Sequence, residues 1–220
     1  MIGLYNGPKF SRVKGALVLV LYFLFPILIT IFTAKILPSL NTQRIVITGG
    51  PGTGKSSVLK QLKSSGFYCM EEISRQVTID AQDNGIDQLF LKDPLLFSQQ
   101  LLLGRQNQFT QANDLKQDLV FFDRGLPDVI AYLDYLGSSY PEIFKTVCIQ
   151  HKYDYVFILK PWKAIYKQDN ERYETFKQAV VIHEYLVKSY TKFGYTIIET
   201  PFGTVKERID FIVNYLSKQV

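Results

Sequence analysis

A chain of 220 residues is long enough to bury one sizeable core, and its composition gives no reason to expect a second catalytic domain. The formal charge of +5 originates in the first 40 residues, where Lys9, Arg12, Lys14 and Lys35 stand without an acid; removing these four from the 25 basic residues leaves 21 against 20 acidic ones. A nearly neutral body argues against a nucleic-acid-binding surface, and two cysteines far apart, Cys69 and Cys148, argue against a disulfide framework or a cysteine metal site.

The first element is apolar: Ala16 to Ala34 runs for 19 residues without a charge. At about 1.5 Å per residue, a helix of that length approaches the roughly 30 Å hydrocarbon core of a bilayer. A single transmembrane helix is the direct expectation, with Pro26 tolerated as a kink; a secretory signal fits less well, because Phe32-Thr33-Ala34 lacks the small residue needed two before a cleavage position. Basic residues ahead of the stretch favour a cytoplasmic N-terminus, while Lys55, Lys60 and Lys63 close behind it pull the other way. The expectation is therefore a single-pass membrane protein with its following domain in the cytosol. The alternative is a soluble cytoplasmic protein whose working domain starts near Asn41, with Leu40 at an alternative start codon. Either way residues 1–40 read as an extension and residues 41–220 as the domain.

That domain opens with a strand pattern, Arg44–Thr48, followed by Gly49, Gly50, Pro51, Gly52, Thr53, Gly54, Lys55, Ser56 and Ser57. This is a complete G-x-x-x-x-G-K-[ST] loop between a strand and a helix pattern, and it predicts nucleoside triphosphate binding. Glycines let successive N–H groups curl around phosphate oxygens, Lys55 reaches the β- and γ-phosphates, and the Ser56 hydroxyl is a candidate Mg²⁺ ligand.

A second strand is expected at Phe67–Glu71, with Glu71 and Glu72 at its end and a helix over Glu72–Asp83. Alternation turns only one of the two acids inward, and Glu72 is the candidate base for a phosphate acceptor, though an acid there also suits the helix dipole. Arg75, one turn on, is a candidate contact for an anionic substrate or a solvated surface residue. Asp93-Pro94 caps a helix carrying Leu95, Leu96, Leu102, Leu103 and Phe109 as a core-facing stripe.

The third strand, Leu119–Asp123, ends in Asp123-Arg124. Asp123 is the candidate acid that holds Mg²⁺ or orients a nucleophile, and Arg124 the candidate neutraliser of phosphoryl charge. Pro127 and Pro141 each open a helix, the first with Val129, Ile130, Leu133 and Leu136 on one face. After a fourth strand, Tyr155–Lys160, the polar stretch to Arg172 occupies the place of a mobile lid, with Lys163, Lys167 and Arg172 as candidate phosphate contacts. His151 and His183 lie far apart without metal-ligand spacing. A fifth strand, Tyr195–Glu199, leads to Pro201–Thr204, which would edge the base pocket, and to a helix with the capping box Thr204-Val205-Lys206-Glu207 and the apolar positions Ile209, Ile212, Val213 and Leu216. No Asn-Lys-x-Asp guanine box follows the late strands, so ATP is the default nucleotide and GTP the second. The alternation of strands and helices predicts an α/β fold with a parallel sheet.

Taken together, Arg44–Ser57, Glu72-Ile-Ser-Arg75, Phe122-Asp-Arg-Gly-Leu-Pro-Asp128, Asn170-Glu-Arg-Tyr173 and Thr200-Pro-Phe-Gly-Thr204 resemble the AAA-type P-loop ATPase domain of NadR-like and TRPL-translocation-defect-like proteins. The resemblance covers essentially residues 42–218. It implies a three-layer αβα sandwich with parallel strand order 2-3-1-4-5, ATP or GTP binding at Gly49–Ser57, and the third-strand acid at Asp123. In NadR members it implies phosphorylation of nicotinamide riboside. It does not extend to the adenylyltransferase and DNA-binding portions of full NadR proteins, nor to the apolar N-terminus, and so leaves the acceptor open. Two functions are expected: an Mg²⁺-ATP-dependent kinase for a small, nucleoside-like molecule, or a nucleotide-dependent switch or binding protein at a membrane or phospholipid surface.

Overall fold

The computed structural model describes residues 42–166 and 174–219. The expected transmembrane stretch Ala16–Ala34 and the candidate residues Lys167 and Arg172 lie outside them. Among the described residues, no helix is long and apolar enough to cross a membrane.

In chain order the elements are β1 (Gln43–Gly49), α1 (Lys55–Ser64), β2 (Tyr68–Cys69), α2 (Ile73–Asp83), α3 (Leu89–Lys92), α4 (Pro94–Gln111), β3 (Leu119–Asp123), α5 (Leu126–Tyr135), α6 (Ile143–Gln150), β4 (Tyr155–Leu159), α7 (Phe176–Lys192), β5 (Ile197–Thr200) and α8 (Val205–Ser217). The strands form one parallel sheet in the order β2-β3-β1-β4-β5, with Ile45 opposite both Phe121 and Tyr155. This is the expected order, and it puts β1 and its loop at the centre.

Alternate strand residues point to opposite faces, so each face has its own core. Val46, Val120, Phe122 and Val156 pack under α4, α5 and α6, through Leu102, Ile130 and Phe144, and under Tyr190 of α7. Ile45, Ile47, Phe121 and Phe157 pack on the other face against Val58 and Leu62 of α1 and Ile209 and Ile212 of α8. Three layers result, and the near-continuous apolar character of β1, β3 and β4 follows from burial on both faces.

Several expectations shift. β2 is only Tyr68–Cys69, although Met70 N still donates to Phe121 O at 2.8 Å. It is an edge strand paired on one side, and the chain leaves it to start α2. Glu72 is accordingly the N-cap of α2, in extended conformation, rather than a residue of its first turn. β5 begins at Ile197, and the helix expected from Pro141 begins at Ile143. The stripe on α4 is mixed: Leu102 is buried, but Leu96 and Leu103 are 37% and 56% exposed, and Leu136 of the α5 stripe ends up exposed at the C-cap. The expected caps form. The Asp93 side chain accepts from Leu96 N, and Thr204 and Glu207 make their reciprocal box. Helix α7, for which no sequence signal was read, has a box of its own at Thr175 and Gln178.

Candidate functional site

The loop between β1 and α1 lies at the carboxyl end of the central strand, where a parallel sheet leaves a crevice for ligands. Gly52 and Gly54 have φ of 71° and 81°, in the left-handed region that favours glycine. Each is also crowded: a Cβ on Gly52 would lie 2.4 Å from the Tyr166 ring, and one on Gly54 would lie 2.8 Å from Arg208 Nη1. Thr53 Oγ1 donates to Gly50 O at 3.0 Å and closes the curl. Ser56 and Ser57, in the first turn of α1, are exposed.

Two of the candidate residues meet. Lys55 Nζ donates to Asp123 Oδ1, with the side chains 7% and 10% exposed, because Asp123 sits beside Ile47 in the β1–β3 register. Burial, and then the neighbouring Arg124 charge, push the Lys55 ammonium below the usual lysine range, against the pull of Asp123 and Glu72.

Arg124 follows Asp123 with φ of 68°, and among the described residues it is the one non-glycine at positive φ. Such a conformation costs of order 1–3 kcal/mol and persists where surroundings over-determine it. Here Arg124 N donates to Ile47 O at 3.1 Å, Nη1 donates to Asp128 Oδ1 at 3.2 Å, and the guanidinium lies 5.3 Å from the Tyr132 ring centre. Burial alone would lower the Arg124 pKa, but Tyr132, Asp128 and Asp123 raise it, so its charge is permanent.

Asp128 was not singled out from the sequence, yet it organises this corner. Fully buried, it accepts from Thr48 Oγ1 at 2.6 Å, from Gly125 N at 2.9 Å, from Arg124 and from the Tyr190 hydroxyl. Burial works against ionisation, but Arg124 and then Arg105 hold its carboxyl below the usual aspartate range. Arg105 of α4, 3% exposed, donates to Gly125 O at 3.0 Å. An arginine between apolar helix positions, and an acid inside an apolar first turn, were the available signals. Neither reveals its partner without the fold.

The two acids after β2 lie beyond the strand, and both are exposed. Glu71 turns outward to Lys63 at 2.6 Å, with 83% of its side chain exposed. Glu72 accepts from Ser74 Oγ at 2.7 Å. Burial opposes its ionisation, but Ser74, Lys55 and Arg124 outweigh it and hold the carboxyl below the usual glutamate range. Glu72 is therefore an ionised group in the field of the lysine and the arginine of the site. Arg75 is exposed on α2.

Of the polar stretch after β4, the described end packs on the loop through Tyr166 at Gly52 and Ile165 at Gly54, while Lys163 is exposed. The Tyr166 hydroxyl donates to Glu174 O, across the undescribed residues 167–173. Trp162 stacks on Phe202 of the β5–α8 loop, with centroids 5.2 Å apart and an interplanar angle of 29°. His151 is engaged with Val147 O at 2.9 Å and edge-on with Phe109, away from these groups. Among the described residues, no cluster of three or more His, Cys, Asp or Glu is arranged to hold a metal ion.

A family model described as "AAA domain" matches residues 44–208. No curated protein matches the sequence. Among solved structures, the chain is similar to deoxyadenosine kinase from M. mycoides with bound dCMP and dCDP (TM-score 0.59, 18% identity, 80% of this chain and 100% of that one). It is also similar to NadR protein in complex with NR (TM-score 0.62, 15% identity, 80% of this chain and 50% of that one). A third likeness is to thymidylate kinase from Candida albicans (TM-score 0.56, 14% identity, 81% of this chain and 92% of that one). At these identities the structural likenesses establish a common fold, that of P-loop kinases, and the family match covers three quarters of the sequence. The chain belongs to this AAA-domain family.

Proposed function

We propose that the protein is an ATP-dependent phosphotransferase acting on a hydroxyl of a small, nucleoside-like molecule. The observation that carries this reading is the junction of Lys55 with Asp123 beside Arg124 and Glu72, which gathers a phosphate-binding loop, two carboxylates and a fixed cation at one sheet end. A simple phosphate-binding turn has no use for the carboxylates.

In this reading the N–H groups of Gly49–Ser57 and the Lys55 ammonium hold the β- and γ-phosphates of ATP, with GTP as the second donor. Ser56 and Asp123 present oxygen donors of the type Mg²⁺ takes, and phosphate oxygens would complete the set. Bound there, Mg²⁺ would neutralise phosphate charge. The acceptor hydroxyl oxygen forms a bond to the γ-phosphorus while the bond from that phosphorus to the β–γ bridging oxygen breaks. The hydroxyl proton passes to a carboxylate, for which ionised Glu72 is the candidate. Arg124, and Arg172 from the stretch after β4, stabilise the charge of the transferring group. Closure of that stretch excludes water and so favours the acceptor over hydrolysis.

The test is ADP release by the 220-residue chain across a panel of nucleosides and other hydroxyl compounds. Release that requires one acceptor class and is abolished by Lys55→Ala is the expected result. Slow release indifferent to every acceptor, with a nucleotide-dependent change in protease sensitivity, would instead favour a switch protein.

A further inference from the structure

Three arginines withdraw from solvent near the loop, Arg105 and Arg208 almost wholly and Arg124 in part, and they are not equivalent. Arg124 is paired with Asp128, and Arg105 lies in the field of the same carboxylate. Arg208, on the second turn of α8, is 2% exposed and has no carboxylate partner among the described residues. Its Nη2 donates to Thr53 O at 2.9 Å, and its Nε is buried without a partner. The acids nearest in sequence are engaged elsewhere: Glu207 accepts from Thr204 N at 2.7 Å and from the Thr204 hydroxyl at 2.9 Å, and Asp210 pairs with Lys206 at 2.6 Å. Burial lowers the Arg208 pKa with nothing to offset it.

A guanidinium withdrawn from water without a counter-charge is costly, because neither solvent nor a carboxylate compensates it. One carbonyl hydrogen bond does not make up that loss. The location supplies the reason for the charge. Arg208 presses against Thr53 and Gly54, the last residues before the N-terminus of α1, where N–H groups converge on an anion. Gly54 has no Cβ, and that missing atom leaves the space Nη1 occupies.

We propose that Arg208 is a phosphate-binding residue whose counter-charge is the polyphosphate of the bound nucleotide, so that α8 contributes a cation to the loop in addition to Lys55. The inference rests on the nucleotide-binding reading above. It assigns Arg208 to ligand binding and not to holding the empty loop together, and the two roles differ in sign.

Wild-type chain, Arg208→Met, Arg208→Lys and Lys55→Ala are titrated calorimetrically with ATP and with inorganic tripolyphosphate, and melted without ligand. A charge-assisted contact implies that Arg208→Met weakens binding of both ligands by about 10- to 100-fold. Arg208→Lys, with charge but without the planar fork, weakens it less. Removal of an uncompensated charge leaves the ligand-free melting temperature of Arg208→Met unchanged or raised. Undiminished binding in both variants, with a lower ligand-free melting temperature, would overturn the proposal in favour of a strut for Thr53. Loss of ATP but not tripolyphosphate affinity would overturn it in favour of a base or ribose contact. If the wild-type chain bound neither ligand, the nucleotide reading would fall and this inference with it; if Lys55→Ala alone weakened binding, only this inference would fall.

Discussion

Lys55 from the loop after β1 and Asp123 from the end of β3 form a hydrogen-bonded ion pair with both side chains nearly closed to solvent. Removing one partner of a buried pair leaves the other uncompensated. Asp123→Ala should cost about 3–5 kcal/mol of stability, and Lys55→Met/Asp123→Leu should recover most of that while remaining inactive. Urea unfolding of the double-mutant cycle reads the coupling directly.

The same pair predicts a pH dependence. The folded Lys55 pKa lies below the ordinary lysine value of 10.5, so between the two values the folded chain binds fewer protons than the unfolded one. Stability contributed by this group therefore rises with pH across that window. Asp123→Ala removes the carboxylate that opposes the shift, and its unfolding free energy should recover with rising pH over a wider span below 10.5 than that of wild type. Parallel curves for the two proteins would contradict the assignment.

Asp128 should be the most sensitive acid outside the loop. Asp128→Asn is expected to lose about 3–5 kcal/mol, because Arg124 and Arg105 are left without their counter-charge. Tyr190→Phe, which removes one buried donor, should lose about 1–3 kcal/mol. The folded carboxyl is depressed below the ordinary aspartate value of 3.8, so its contribution is complete above that pH and disappears as the pH falls through the folded value. Acid titration of Asp128→Asn by circular dichroism should lack this component.

Trp162 is the one tryptophan of the chain and stacks on Phe202, which is half exposed. Phe202 lies in Pro201–Thr204, the segment expected to edge a nucleotide base, and Trp162 packs on it. Addition of ATP should therefore change the intensity or position of Trp162 emission, and Phe202→Ala should red-shift the ligand-free spectrum. An identical spectrum with saturating ATP would place the base elsewhere.

The cysteines should be inert at neutral pH. Burial pushes the Cys69 thiol up to about 11 and the Cys148 thiol up to about 12. With folded values above the ordinary thiol value of 9.0, their stabilising contribution is complete below that pH and is lost as the pH rises through the folded values. A thiol reagent at about pH 8 should label neither quickly, and half-buried Cys69 should react before Cys148, which is fully buried.

The features legible in the sequence are those with local causes. Gly52, Gly54 and Lys55 announce the loop because its conformation and chemistry are confined to nine consecutive residues, Gly49–Ser57. The caps at Asp93 and Thr204 follow from side chains reaching three residues along the chain. The misjudged boundaries have non-local causes. β2 is short because only β3 borders it, and Leu103 is exposed because no element among the described residues covers that face of α4.

By itself the sequence determined a parallel α/β body, a phosphate-binding loop and an acid-arginine pair ending the third strand, since patterning, glycine placement and strand ends are short-range properties. Only the tertiary structure decided that Asp128 fixes Arg124, that Thr48 and Tyr190 share that carboxylate, and that Arg208 reaches the loop without one. Thr48 and Tyr190 lie 80 and 62 residues from Asp128, and Arg208 lies 155 from Thr53, and no spacing rule joins such partners before the sheet has ordered its strands.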